Sequence, residues 1–376
     1  MTQRIYFDWN ATAPCRAEAR AAMLSALEST GNASSVHAEG RAARALLEKA
    51  RGQVAALVGA APMTVTFTSG ATEANMLALQ PFSGCDRLLM SAVEHPSVKS
   101  GGRFAPDSTE ELPVDSEGIV DLHALGNVIA RSPRPLVSVM LANNETGIIQ
   151  PIHQIAGIVH AAGGWLHVDA VQAPGRIACR VDDLGADLMT ISSHKLGGPQ
   201  GAGALVRRGD VPLQPLIKGG GQERSLRAGT ENVAAIAGFG AACAAASLAD
   251  APRMAALRDR LEAGIRAIAP DAIIFGADVA RLPNTTLFAV PGLKAETAII
   301  AFDLEGIAVS SGAACSSGKV QASAVLTAMG VAPPLARGAV RVSLGRSTTE
   351  NEIERFLGTW RKLAESLLKE RRELAA

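Results

Sequence analysis

Two residues of this sequence, Lys195 and Asp169, have types and positions suited to covalent chemistry. Lysine is scarce, and every lysine except Lys195 sits among polar or loop residues. Lys195 lies in Thr190-Ile-Ser-Ser-His-Lys-Leu-Gly-Gly-Pro199, between an apolar strand candidate and a glycine-rich turn. An amine held at a rigid strand end beside hydroxyl and imidazole groups is suited to losing its proton and forming a Schiff base. A surface loop lysine fits the local sequence equally well. Asp169 follows an alternating strand in Trp165-Leu-His-Val-Asp-Ala-Val-Gln172, where an unpaired carboxylate is costly. A helix N-cap or an ion pair with an arginine would satisfy it, and so would the pyridinium nitrogen of pyridoxal phosphate.

Two further segments carry chemical signals. Thr68-Ser-Gly-Ala-Thr-Glu-Ala-Asn75 follows a strand and opens a helix, so its free N–H groups and positive dipole end form an anion cup. Many strand-to-helix turns look like this, and alone the signal is weak. Nucleotide-binding signatures such as GxxxxGK[ST] are absent from the sequence. Cys315, in Ser310-Ser-Gly-Ala-Ala-Cys-Ser-Ser-Gly318, is flanked by small residues with little apolar cover, and Gly312 and Gly318 let the segment swing. A reactive thiol needs access, whereas a packing cysteine wants burial. Cys243, in Ala-Ala-Cys-Ala-Ala-Ala, reads as helix packing, and Cys15, Cys85 and Cys179 read as structural too.

The elements that must position these residues follow from pattern. Strand candidates at Val65–Thr68, Arg87–Ser91, Leu136–Leu141, Trp165–Val168, Leu188–Ile191 and Ala204–Arg207 alternate with helical stretches at Thr72–Leu79, Asp121–Ala130 and Ile152–Ala161. This alternation predicts an α/β fold, a mainly parallel central sheet with helices on both faces, and ligands beyond the strands' C-terminal ends. Near Ala251-Pro252 the character changes. A charged helix (Arg253–Ile268), strands at Ala272–Phe275, Thr285–Val290 and Ala339–Leu344, and a last helix from Thr349 read as a smaller C-terminal α+β domain. The expected division is a large domain over 15–250 and a small one over 251–376, with 1–14 packed on the latter.

Composition narrows the function classes. In 376 residues, 36 Lys and Arg balance 36 Asp and Glu, giving no broad basic field for nucleic acid or anionic membranes. Aromatics are only 3% while hydrophobic residues are 48%, so the core must be aliphatic and a disordered chain is ruled out. The five scattered cysteines contain no CxxC pair, which speaks against a disulfide framework or zinc finger and for a reducing compartment. No export signal is visible at the N-terminus, and the uncharged run Val233–Ala249 is mostly Ala and Gly, short of the ~20 apolar residues of a membrane span. A cytoplasmic metabolite enzyme is expected.

The ordered set Thr68-Ser-Gly-Ala-Thr-Glu, Glu94-His-Pro-Ser, Asn143-Asn-Glu-Thr-Gly, His167-Val-Asp, Ser193-His-Lys, Gly229-Thr-Glu-Asn, Ser310-Ser-Gly-Ala-Ala-Cys and Arg341-Val-Ser-Leu-Gly-Arg runs nearly end to end. It resembles the class V aminotransferase group of fold type I pyridoxal-phosphate enzymes, and within it the cysteine desulfurases of the NifS/IscS kind. The resemblance implies that Lys195 carries the cofactor, Asp169 pairs with its ring nitrogen and His95 stacks on the ring and can move protons. It further implies that Asn144 and Gln172 bond the phenolic oxygen, while Ala71, Thr72, Ser192 or Ser193, and His194 hold the phosphate. Thr230 would reach the partner subunit's phosphate in a homodimer. Arg341 would clamp the substrate carboxylate, with Asn32 at the same end. Cys315 would take sulfur from L-cysteine as a persulfide, leave L-alanine, and pass sulfur to an acceptor or iron–sulfur scaffold protein. No resident metal is implied, although Cys315 could transiently ligate a cluster. A selenocysteine lyase or another class V lyase or aminotransferase is the alternative. Relatives usually read Pro-Ser-His after the cysteine loop, where this chain has Gln321-Ala-Ser-Ala-Val-Leu, so a change in how the loop's far end is anchored, or in which acceptor docks there, is expected.

Overall fold

The computed structural model describes residues 4–82, 84–131, 134–209, 211–311 and 322–375, with side chains described through residue 366. Cys315 lies outside the described residues. After a short strand β1 (Ile5–Tyr6) come β2 (Val65–Thr68), β3 (Leu88–Ser91), β4 (Thr109–Leu112), β5 (Leu136–Met140), β6 (Trp165–Asp169), β7 (Leu188–Ser192) and β8 (Gly203–Arg207). β2 to β8 form a seven-stranded sheet in the order β4-β3-β5-β6-β7-β8-β2. Only β8 runs antiparallel to its neighbours. The fold is α/β with a mainly parallel sheet.

Alternate residues of β3, β5, β7 and β8 enter different cores, as burial on both faces requires. Leu136, Leu188 and Leu205 join one cluster with Leu77 and Met90. Their neighbours Val137, Met189 and Val206 join the other, with Leu47, Val54 and Phe239. The helix Val233–Ala244 is apolar all round and lies buried. A Cβ at Gly240 would come within 2.5 Å of Ala50 Cα, so glycine there permits the close approach to the helix Ala38–Val58. β4 was not anticipated. Its Thr-Glu-Glu-Leu sequence buries only Leu112, because an edge strand keeps polar side chains in water.

A second core forms around Phe7, Phe288, Phe302, Phe356 and Trp360. It contains β9 (Ile273–Ile274), β10 (Thr285–Ala289), β11 (Ile307–Ala308), β12 (Ser310–Ser311) and β13 (Val340–Ser343). β12-β13-β10-β9 make an antiparallel sheet, and β1 pairs in parallel with β11. Ile5 and Phe7 thereby join this core, while the chain just beyond them runs to the site. The cysteines divide differently from expectation. Cys85, Cys179 and Cys243 are buried, but Cys15 is exposed, because it sits in the extended run ahead of the helix Ala17–Leu27 rather than on a packed face. Among the described residues no helix is long and apolar enough to cross a membrane.

Candidate active site

A cavity of about 620 Å³ opens beyond the C-terminal ends of the sheet strands, where open α/β sheets bind ligands. Lys195, Asp169, His95, Arg341, Asn144 and Gln172 all line it, as do Ala71, Thr72, Ser192 and His194. The structure therefore gathers residues spread from 71 to 341 at one place.

Lys195 stands in a single 3₁₀ turn directly after β7. Its Nζ donates to the carbonyls of Asn10 and Ala11 at 2.6 and 2.9 Å. Burial, with the nearby Arg341 and Arg176 cations, lowers its pKa to about 8, so a useful fraction is the free amine near neutral pH. Asp169 ends β6 and is buried. Its Oδ1 accepts the N–H of Val171 at 3.0 Å, and its Oδ2 accepts Nδ2 of Asn75 at 3.0 Å. Both partners are neutral, and no ion pair to Asp169 is found among the described residues.

His95 caps the short helix Pro96–Lys99, and its Nδ1 accepts the N–H of Ser97 at 3.1 Å. Burial of the surrounding pocket lowers its pKa, Asp169 opposing and Lys195 reinforcing the shift. His194 bonds Thr12 Oγ1 through Nδ1 at 3.2 Å, and burial beside Lys195 brings its pKa to about 4; it is a neutral ring. Gln172 donates from Nε2 to the Asn10 carbonyl at 3.1 Å and accepts from Arg176.

Three predicted residues lie off the cavity wall. Ser193 is fully buried behind Ser192, and its Oγ, without a partner among the described residues, is one that a Cβ at Gly198 would strike at 2.2 Å. Thr230 is exposed in a neighbouring recess that shares Ser69 and Gly201 with the main cavity. Asn32 is exposed too, its Oδ1 accepting the Ser34 N–H at 2.9 Å.

Sequence reasoning missed the residues that support these groups. Asp8 holds Arg341, Asn10 receives Lys195, and Asn75 bridges to Asp169. Glu73 braces the anion cup: its Oε2 accepts the Ser69 N–H at 2.8 Å, and its Oε1 accepts Arg227 Nε at 3.0 Å. A glutamate three places after the N-cap Gly70 was the available signal, as in a capping box. The others have no local signal, since their partners are remote in sequence.

The sequence matches the family described as aminotransferase class-V over residues 5–356. The chain belongs to that family. It is 43% identical to a cysteine desulfurase of Cereibacter sphaeroides, an alignment covering 94% of each chain. To a cysteine desulfurase IscS of Dictyoglomus turgidum it is 39% identical, over 98% of this chain and 96% of that one. Among solved structures, a NifS-like protein from Rickettsia africae superposes with a TM-score of 0.89 at 37% identity, covering 96% of this chain and 100% of that one. Class-V enzymes of this kind use pyridoxal phosphate, and the cavity fits it. Asp169 is a buried carboxylate with no cation paired to it among the described residues, and Lys195 is an amine with a depressed pKa at the same wall. A Cβ at Gly203 would come within 2.6 Å of Gly70 and 3.0 Å of the Ala71 nitrogen. The missing side chain keeps open the turn whose first N–H groups have no intrahelical acceptor.

Proposed function

We infer that this class-V chain is a pyridoxal-phosphate-dependent cysteine desulfurase, which converts L-cysteine to L-alanine and passes the sulfur on. The observation that carries this reading is the shared cavity of Lys195, Asp169, His95 and Arg341, in a chain whose cysteine desulfurase relatives align nearly end to end.

When bound, the cofactor supplies an electron sink that loosens the substrate's Cα–H and C–S bonds. Lys195 Nζ would hold it and, once free, take the Cα proton. Asp169 would stabilise a proton on the ring nitrogen. Ala71, Thr72, Ser192 and His194 would hold the phosphate, and Asn144 and Gln172 would bond the phenolic oxygen. Arg341 would bind the substrate carboxylate with two donors, a task a lysine does poorly. The thiolate of Cys315 would attack the substrate sulfur: an S–S bond forms, the C–S bond breaks, and the carbon keeps the electron pair and is protonated to the methyl group of alanine. His95 would manage the thiol protons.

The same reading divides the chain into a cofactor domain over 15–250 and a domain over 251–376, with 1–14, that carries the Cys315 loop. It makes the enzyme a cytoplasmic homodimer in which Thr230 serves the partner's phosphate. The sulfur acceptor is a protein of iron–sulfur assembly or thiolation. Beyond the Cys315 segment, Ser323 Oγ accepts the Leu326 N–H at 3.0 Å and donates to the buried Glu145.

The test is L-alanine production by purified, cofactor-loaded protein given L-cysteine and a thiol reductant. Alanine equimolar with sulfide is expected. Turnover of L-selenocysteine alone, or of neither substrate, would overturn the desulfurase reading.

A further inference from the structure

The tautomer of His95 can be read from its neighbours. The backbone N–H of Ser97 points at Nδ1 from 3.1 Å. A peptide N–H can only donate, so in the neutral ring Nδ1 is bare and the ring proton sits on Nε2. The Ser97 hydroxyl lies 2.8 Å from the same nitrogen. That oxygen already accepts Asn75 Nδ2 at 2.9 Å, which leaves its own proton for His95. The other hydrogen of the Asn75 amide goes to Asp169 Oδ2 at 3.0 Å. The amide cannot be turned over, because its oxygen would then face the Asp169 carboxylate. Asn75 is fully buried and its Oδ1 has no partner among the described residues, so the side chain is placed for what its nitrogen does.

We propose that Ser97 and Asn75 are positioning residues that lock His95 as the tautomer protonated on Nε2, so that His95 meets sulfur groups in the cavity as a hydrogen-bond donor. Protonating Nδ1 would break the contact with the Ser97 N–H and force the hydroxyl to turn away, against an orientation that Asn75 and Asp169 hold. Asp169 from β6 and Lys195 beyond β7, the charged groups facing the ring, act on it in opposite directions. The inference deepens the desulfurase reading and rests on it only for the identity of the group that His95 meets.

The experiment is histidine side-chain NMR on the full, cofactor-loaded chain labelled with ¹⁵N-histidine, with His95→Asn used to assign the signal. A bare Nδ1 and a protonated Nε2 are expected wherever the ring is neutral, above its protonation midpoint. Ser97→Ala removes one of the two donors to Nδ1, and the protonation midpoint of His95 should rise by about 0.5–1 unit. Asn75→Ala should shift it the same way, and Ser97→Thr should restore it. The acid limb of kcat/KM should move with the midpoint. A wild-type ring protonated on Nδ1 overturns the proposal. So does a Ser97→Ala protein that melts earlier but keeps both tautomer and midpoint. The desulfurase reading fails separately, through the alanine assay on unaltered protein, and that failure would leave the tautomer result standing.

Discussion

Arg341 and Asp8 are paired at the cavity wall: Nη2 of the arginine donates to Asp8 Oδ1 at 2.7 Å. Nη1 donates to the Asn144 carbonyl at 2.9 Å, and the buried Nε has no partner among the described residues. The arginine is thus held in place from β13 by a residue of the N-terminal segment, with donor capacity left for a carboxylate. Arg341→Lys keeps the charge but loses the planar fork. Its KM for L-cysteine should rise about tenfold or more, a loss of about 1.4 kcal/mol, with a smaller change in kcat. Steady-state kinetics that show an unchanged KM would remove Arg341 from substrate binding.

The depressed Lys195 sets a pH dependence with a definite sign. With a pKa of about 8, the amine is mostly protonated below that pH and free above it. Cofactor-free protein should therefore condense with pyridoxal phosphate at a rate that rises about tenfold per unit on approach to pH 8 and then levels. In the unfolded chain the lysine keeps its proton up to about 10.4. Between about pH 8 and 10 the unfolded state binds the extra proton, so this residue increasingly favours the folded state as pH rises. An inflection near the ordinary lysine value in stopped-flow absorbance would contradict the burial argument.

Gly203→Ala tests the anion cup. The new Cβ would press on Gly70 at 2.6 Å and on the Ala71 nitrogen at 3.0 Å. Both are backbone atoms, so the turn must shift. Retention of pyridoxal phosphate, followed by dialysis and absorbance, should weaken by tenfold or more, which corresponds to about 1.4 kcal/mol.

Arg51 and Glu223 form a buried bidentate pair at 2.7 and 2.8 Å, and Glu223 also accepts the Phe67 N–H at 2.8 Å. Glu223, Arg224 and Ser225 all have positive φ, a backbone that costs energy and persists only when its surroundings hold it. Glu223→Ala leaves the Arg51 charge buried and should destabilise the protein by about 3–5 kcal/mol in denaturant titrations. A loss under 1 kcal/mol would mean that the strained segment is held by something else.

Cys315→Ser should abolish alanine formation from L-cysteine while leaving cofactor absorbance in place. Turnover at the unaltered rate would assign the sulfur-accepting role to another group.

The sequence alone was enough to place six of the seven strands of the large sheet, all but β4, because a strand buried on both faces reads as a local apolar run, but the helices Ala17–Leu27 and Ala38–Val58 were not read from it. It also yielded the cavity residues that sit at strand ends, since Asp169 and Lys195 each follow an apolar run that a parallel sheet must bury. Tertiary structure decided what each of these residues touches. Asp8 and Asn10 come from the N-terminal segment, which β1 and β11 tie to the second core, yet they hold Arg341 and Lys195. Asn75 and Ser97 sit in motifs that were read for other residues, and only folding joins them to Asp169 and His95. The same holds for Ser192 and Ser193, equal candidates in sequence, of which the backbone turns one to the cavity and buries the other. Hydrogen bonds reach only about 3 Å, so the partner of a polar group is fixed by where distant segments meet and not by the residues beside it.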